Sequence, residues 1–145
     1  MSTVAAILKH KGYNVFTVDP DTQVGDIATI LSERRIGAAL VVDASDHMLG
    51  IVSERDIVRG LAANGARTLD MTAGQLMTRT VQVAHPGTTV AEAMRLMTAG
   101  RFRHLPVVDH GTLVGLISIG DVVKARIMQQ DTAVESLTAY VAGTA

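Results

Sequence analysis

The chain carries one pattern twice, and each copy closes on a short acidic motif: Gly50-Ile51-Val52-Ser53-Glu54-Arg55-Asp56, then Gly115-Leu116-Ile117-Ser118-Ile119-Gly120-Asp121. The copies superpose at one constant offset, with Pro20 over Pro86, Val24 over Val90, Leu31 over Met97 and Arg35 over Arg101. After one deletion near the turn, Gly50 falls on Gly115, Ser53 on Ser118 and Asp56 on Asp121. Two copies are too short a series for a solenoid, whose stability comes from stacking repeats on neighbours. The expectation is a duplicated pair folding into one pseudo-symmetric unit, with residues 1–64 as the first repeat, 65–126 as the second and 127–145 as a helical tail.

Both copies give the same order of elements. Val15 to Val18 alternates and stops at Asp19-Pro20, a short strand, and Val24, Ile27, Ala28 and Leu31 then recur at helical spacing. Ala38 to Val42 is continuously apolar, as in a buried strand, and is followed by a turn at Ala44 to His47, a strand from Met48 to Val52 and a helix from Glu54 to Leu61. The second copy predicts a strand at Val81 to Val83, a helix bearing Val90, Ala93, Met94 and Met97, strands Leu105 to Val108 and Leu113 to Ile117, and a helix from Ile119. Asn64 to Arg67 reads as a linker, and Thr72-Ala73-Gly74-Gln75 as a capping box opening a short leader helix, whose N-terminal counterpart is Thr3 to Leu8.

This β-α-β-β-α unit, repeated with G-h-h-S-x-x-D after its third strand, resembles the cystathionine beta-synthase (CBS) domain family. The resemblance runs from about Val4 to Ala125. It is also carried by Gly37-Ala38-Ala39-Leu40-Val41-Val42-Asp43, by Arg103-His104-Leu105-Pro106-Val107-Val108-Asp109 and by Met77-Thr78. It implies an α/β (α+β) fold: two CBS repeats in a pseudo-two-fold pair, with short N-terminal and C-terminal helices and no catalytic or channel domain attached. Pairs in this family commonly bind adenosine nucleotides (AMP, ADP, ATP, NAD or S-adenosylmethionine) and act as sensors.

The motif chemistry stands on its own as well. A carboxylate accepts two hydrogen bonds at once, and a ribose offers vicinal hydroxyls at matching separation. Asp56 and Asp121 suit that task. Ser53 and Ser118 lie where a strand passes into a helix, and a hydroxyl beside the free N–H groups of a helix start favours phosphate. Ser-x-x-Asp before an apolar helix is equally an ordinary N-terminal capping arrangement. Capping and binding can share the same serine.

In the family, the motif Asp of one repeat works with the strand starts of the other. Carried across, Ser53, Arg55 and Asp56 would face Gln82, Arg103 and His104, whereas Ser118, Ile119, Gly120 and Asp121 would face Phe16, Gly37 and Ala38. The first set has guanidinium forks for phosphate. The second would hold mainly the nucleoside, its base against Phe16. Arg55 and Arg103 read equally as solvated surface charges. His104 reads as a phosphate donor, a pH-sensitive contact or a strand-end cap.

Composition closes off other classes. The formal net charge is −1, so no global field draws nucleic acid or anionic lipid, and Arg95, Arg101, Arg103 and His104, with Lys124 and Arg126, lack interleaved aromatics or a helix-turn-helix pattern. The five histidines show no zinc-ligand spacing and there is no cysteine, which sets aside metal, disulfide and thiol chemistry and fits a reducing cytoplasm. No nucleophile elbow or P-loop accompanies the carboxylates, so no catalytic residue is assigned. No apolar run is long enough for a membrane span, and Met1 to Lys11 is unlike a secretory signal. The seven methionines, Met94 and Met97 among them, sit at core-like helical spacing.

Tandem CBS pairs resemble one another in burying helix faces against a second pair, and two-fold dimers are the commonest assembly. Candidate contacts are Ile57, Val58, Leu61, Val122 and Val123, with Ile127, Val134, Leu137, Tyr140 and Val141 in the tail. The sequence therefore reads as a cytoplasmic, non-enzymatic, homodimeric sensor of AMP, ATP or NAD acting on a downstream protein it does not reveal. A structural dimerisation module with empty clefts is the alternative, and a nucleic-acid binder a more distant one.

Overall fold

The computed structural model describes residues 2–79 and 81–141, leaving aside the side chains of 131–136 and 138–141. Helix α1 (Val4–Lys11) is followed by β1 (Thr17–Val18), α2 (Val24–Arg34), β2 (Ala38–Val42), β3 (Met48–Ser53) and α3 (Glu54–Asn64). A 3-10 turn (Gly65–Asp70) leads to α4 (Ala73–Leu76), α5 (Val90–Gly100), β4 (His104–Asp109), β5 (Thr112–Ser118) and α6 (Ile119–Val141). The duplicated α/β order predicted from sequence is present. Among the described residues no helix is long and apolar enough to cross a membrane.

The chain divides into two compact units that do not follow its linear order. One comprises Asn14–Gln82 with His110–Leu113; the other comprises Met1–Tyr13, Val83–Asp109 and Val114–Ala145. The leader helices have thus been exchanged. Helix α4, which precedes the second repeat in sequence, packs with the first, and α1 packs with the second.

The same hydrogen bonds fasten both leaders. In the first unit Ala73 donates its N–H to Thr22 O at 2.7 Å, Gly74 to Pro20 O at 2.9 Å, and Val24 to Met71 O at 2.8 Å. In the second, Val4 donates to Thr88 O at 2.8 Å, Ala5 to Pro86 O at 3.0 Å, and Val90 to Ser2 O at 3.1 Å. Each set satisfies N–H groups at a helix start, which have no partner within the helix itself. The capping box expected at Thr72-Gln75 is formed, and Thr89-Glu92 makes another at the start of α5.

Matched positions pack alike. Val24, Ile27 and Leu31 of α2 are buried, as are Val90, Ala93 and Met97 of α5. Both helices end on an arginine in the left-handed region, Arg35 at φ 54° and Arg101 at φ 56°. In the first unit β1 runs parallel to β2, and β2 antiparallel to β3 with Ala38 opposite Ser53. Asp43 Oδ1 accepts the N–H groups of Ser45 at 2.8 Å and His47 at 2.9 Å, shaping the β2–β3 turn.

The structure adds detail that the sequence pattern alone does not carry. The strand expected at Val81 to Val83 is reduced to a single parallel bridge between Ala84 and Val107. In the first repeat Leu40 donates its N–H to Phe16 O at 3.0 Å; Pro106, at the position matching Leu40, has no N–H to give. The Asn64 to Arg67 linker is the end of α3 and the start of the 3-10 turn, in which Thr68 is fully buried against Gly60. Residues 127–141 of the tail are continuous with α6, since no Gly or Pro interrupts the chain between Gly120 and Val141, and residues 142–145 lie outside the described residues. Among the proposed contact residues, Ile57 and Val122 point into the cores, while Val58, Leu61, Val123, Ile127 and Leu137 are exposed. Consecutive helical residues face different sides, which separates Ile57 from Val58 and Val122 from Val123. The side chains of Val134, Tyr140 and Val141 lie outside the described residues.

The glycine opening each motif marks the closest approach of the exchanged leader. A Cβ on Gly50 would lie 2.6 Å from Thr78 O and 2.9 Å from Met77 Sδ, and one on Gly115 would lie 2.7 Å from Leu8 Cδ2. A backbone carbonyl cannot swing aside as a leucine methyl can. Gly50→Ala is expected to cost about 1–3 kcal/mol and to lower the thermal midpoint more than Gly115→Ala; equal midpoints would show that the Thr78 backbone yields freely.

Candidate functional site

Both S-x-x-D motifs fold as reciprocal caps. In the first, the Asp56 N–H donates to Ser53 Oγ at 3.3 Å, while Asp56 Oδ2 accepts the Ser53 N–H at 2.8 Å and the Ser53 hydroxyl at 2.9 Å. In the second, the Asp121 N–H donates to Ser118 Oγ at 3.2 Å and Asp121 Oδ2 accepts the Ser118 N–H at 2.8 Å. The start of each helix is tied to the residue just before the middle strand of its own repeat: Glu54 N–H donates to Gly37 O at 3.0 Å, and Ile119 N–H to Arg103 O at 2.8 Å. The capping role is therefore real at both motifs. It also fixes each carboxylate at a helix N-terminus, where the aligned peptide dipoles favour negative charge.

A second donor reaches each carboxylate from the exchanged leader. Thr78 donates its N–H to Ile51 O at 2.9 Å and its hydroxyl to Asp56 Oδ1 at 2.9 Å. In the second unit Lys11 performs both tasks with one ammonium, donating to Leu116 O at 2.7 Å and to Asp121 Oδ2 at 2.7 Å. Ile51 and Leu116 each follow the motif glycine, so in both units the leader bonds the same backbone carbonyl and the motif carboxylate, through Oδ1 at Asp56 and Oδ2 at Asp121. They differ in charge: the leader offers Asp56 a neutral hydroxyl and Asp121 a cation.

Burial pushes the Asp121 carboxyl up, but the Lys11 ammonium and the Ser118 N–H outweigh it and hold the group below the usual carboxylate value. At neutral pH it is an ionised acceptor. A carboxylate has about four acceptor positions, and at Asp121 the Lys11 ammonium and the Ser118 N–H both sit on Oδ2, while the Ser118 side chain adds a further hydrogen bond from a hydroxyl that can turn. At Asp56 the Ser53 and Thr78 hydroxyls are rotors that can turn toward a ligand, whereas the Ser53 N–H is fixed.

The expected site residues divide between the units. Phe16, Gly37, Ala38, Ser53, Arg55, Asp56 and Gln82 belong to one; Arg103, His104, Ser118, Ile119, Gly120 and Asp121 belong to the other. Within a unit, each motif adjoins the strand start of its own repeat: Gly37 and Ala38 lie beside Ser53, and the Arg103 carbonyl beside Ile119. Phe16 packs against the first core, with the Arg34 guanidinium 5.1 Å from its ring centre in a cation–π contact. Sequence reasoning noticed Thr78 as part of the family pattern but not as a partner of Asp56, and did not single out Lys11. Among the described residues there is no group of three or more His, Cys, Asp or Glu able to hold a metal.

Because the Asp121 carboxyl is held low, its ion pair adds stability above about pH 4, the ordinary carboxylate value, and that stability is lost as the pH falls through the native value. Lys11→Met is expected to lower the midpoint at pH 7 by the equivalent of about 1 kcal/mol or less, as the pair is partly exposed, and to flatten the acid limb below pH 4. Melting curves from pH 7 to pH 3 measure this; an acid limb as steep as the parent's would show that the pair contributes nothing.

The CBS domain family matches residues 4–63 and 73–127. A solved CBS-domain protein, ATU1752 from Agrobacterium tumefaciens, is 45% identical with a TM-score of 0.84, over 86% of this chain and 99% of that one. The structure of CBSX2 in complex with AMP is 30% identical with a TM-score of 0.73, over 90% of this chain and 99% of that one. The CBS domain-containing protein CBSX3, mitochondrial, of Arabidopsis thaliana is 31% identical over 150 residues, 98% of this chain and 73% of that protein. Two matched repeats, two capped acidic motifs and these likenesses agree: the chain belongs to the CBS domain family and carries two CBS domains.

Proposed function

We propose that the protein is a non-catalytic regulatory module that binds an adenosine nucleotide, AMP, ATP or NAD, at one or both S-x-x-D motifs. The observation that carries this reading is the pair of fixed carboxylates, each oriented by a motif serine and by a donor from the exchanged leader. Such a carboxylate takes the 2′ and 3′ hydroxyls of a ribose together, and the similar CBSX2 is solved with AMP bound. The Ser53 and Ser118 hydroxyls serve cap and ligand alike.

Signalling follows from linkage: a nucleotide that binds one conformation more tightly shifts the population toward it. We assign the output to a homodimer. Val58 and Leu61 on α3 and Val123, Ile127 and Leu137 on α6 leave apolar side chains exposed, as a two-fold partner requires. The same residues support the second reading, a dimerisation module whose motifs are caps alone.

A thermal-shift panel separates the two. AMP, ADP, ATP, NAD, NADH and S-adenosylmethionine are tested against the parent, Asp56→Ala and Asp121→Ala. A ligand at about 100 times its dissociation constant adds roughly 2.7 kcal/mol, so at least one compound is expected to raise the parent's midpoint and to lose that effect in an Asp variant. No shift in the parent, with both variants melting lower by a capping increment of about 1 kcal/mol, would leave the caps purely structural.

A further inference from the structure

Beside Asp121 a groove of about 680 Å³ runs between α1 and α6. Its α6 wall is formed by Asp121, Lys124 and Met128 among others, and its α1 wall by Ile7, His10 and Lys11. Asp121, Lys124 and Met128 are three and four residues apart, so they form one stripe of the helix. The volume lies within the range of about 300–1,000 Å³ typical of small-molecule sites, and the lining mixes apolar side chains such as Ile7 and Met128 with a few charged and polar ones. Two lysines and a histidine share this groove with one carboxylate. Lys11 is already seated on that carboxylate, and Lys124 lies one turn further along α6.

We propose that this groove is the phosphate end of the Asp121 site: Asp121 takes the ribose hydroxyls while Lys11 and Lys124, with His10, take the phosphates along α6. The proposal rests on the nucleotide reading above and names its ligand class, a nucleoside polyphosphate in preference to a monophosphate. From sequence the Asp121 side was given mainly the nucleoside, because Gly37 and Ala38 stand where the other repeat has Arg103 and His104. The cations that answer this lie on the leader helix and the second turn of α6. Lys11 and Asp121 also cooperate geometrically, since an ammonium carries three donors and Lys11 can hold the carboxylate and the Leu116 carbonyl with a third N–H for phosphate.

The test is calorimetric titration of the full chain with AMP, ADP and ATP. The Asp121 site is identified as the binding step that Asp121→Ala removes. In the parent, affinity at that step is expected to rise about tenfold or more from AMP to ATP, since charge-assisted contacts to phosphate are the strong ones. The double variant Lys11→Met and Lys124→Met should bring the three ligands within about threefold, while Lys11→Arg keeps the rise. If the double variant does not fold, Lys124→Met alone should reduce the rise. A parent with no rise, or variants that preserve it, would overturn the subsite and leave the nucleotide reading standing; a parent that binds none of the three would overturn that reading as well.

Discussion

The exchange of leader segments is the constraint on which the rest depends. Each repeat is closed by a segment that precedes the other in sequence, and the closure converges on the motif glycine. At Gly50 the Thr78 backbone, and at Gly115 the Leu8 side chain, come so near that a Cβ would intrude. From the same segments come the donors that reach the motif carboxylates. The glycine, the strand, the cap and the acidic group therefore form one packed feature, and a change in any of them is felt by the others.

That convergence gives structural logic to a sensor. A ligand that takes up acceptor capacity on Asp56 or Asp121 meets a group already bonded to a leader, so binding and leader packing are linked energetically. The two sites are not copies in charge. The leader brings a neutral hydroxyl to Asp56, whereas it brings the Lys11 ammonium to Asp121 at 2.7 Å. With the S-x-x-D cap present in both copies, the difference between the two carboxylates comes from the leader.

Much of the fold was legible because its signals are local. Helical spacing of Val24, Ile27 and Leu31, the apolar run at Ala38 to Val42 and the Thr72-Gln75 cap each report on their own neighbourhood, and the structure has all three. The loss of the Val81 to Val83 strand was written in Pro106, but only once Leu40 was seen donating at the matching position. Ile57 and Val58 could not be sorted into core and surface without knowing which side of α3 faces the sheet. In the candidate site the two acidic motifs were legible as local patterns, whereas the leader donors that reach them were not. Lys11 and Asp121 are far apart in the chain, and nothing periodic or motif-like marks a lysine at the end of a leader helix as the partner of a distant carboxylate.

The central claim is that the motif carboxylates hold the ribose diol. Its most direct test is calorimetric comparison of AMP with 2′,3′-dideoxy-AMP, two ligands that differ only in those hydroxyls. The account predicts that the dideoxy compound binds at least about tenfold more weakly, because a charged acceptor is left without its donors. Equal affinities would contradict it and would leave Asp56 and Asp121 as helix caps.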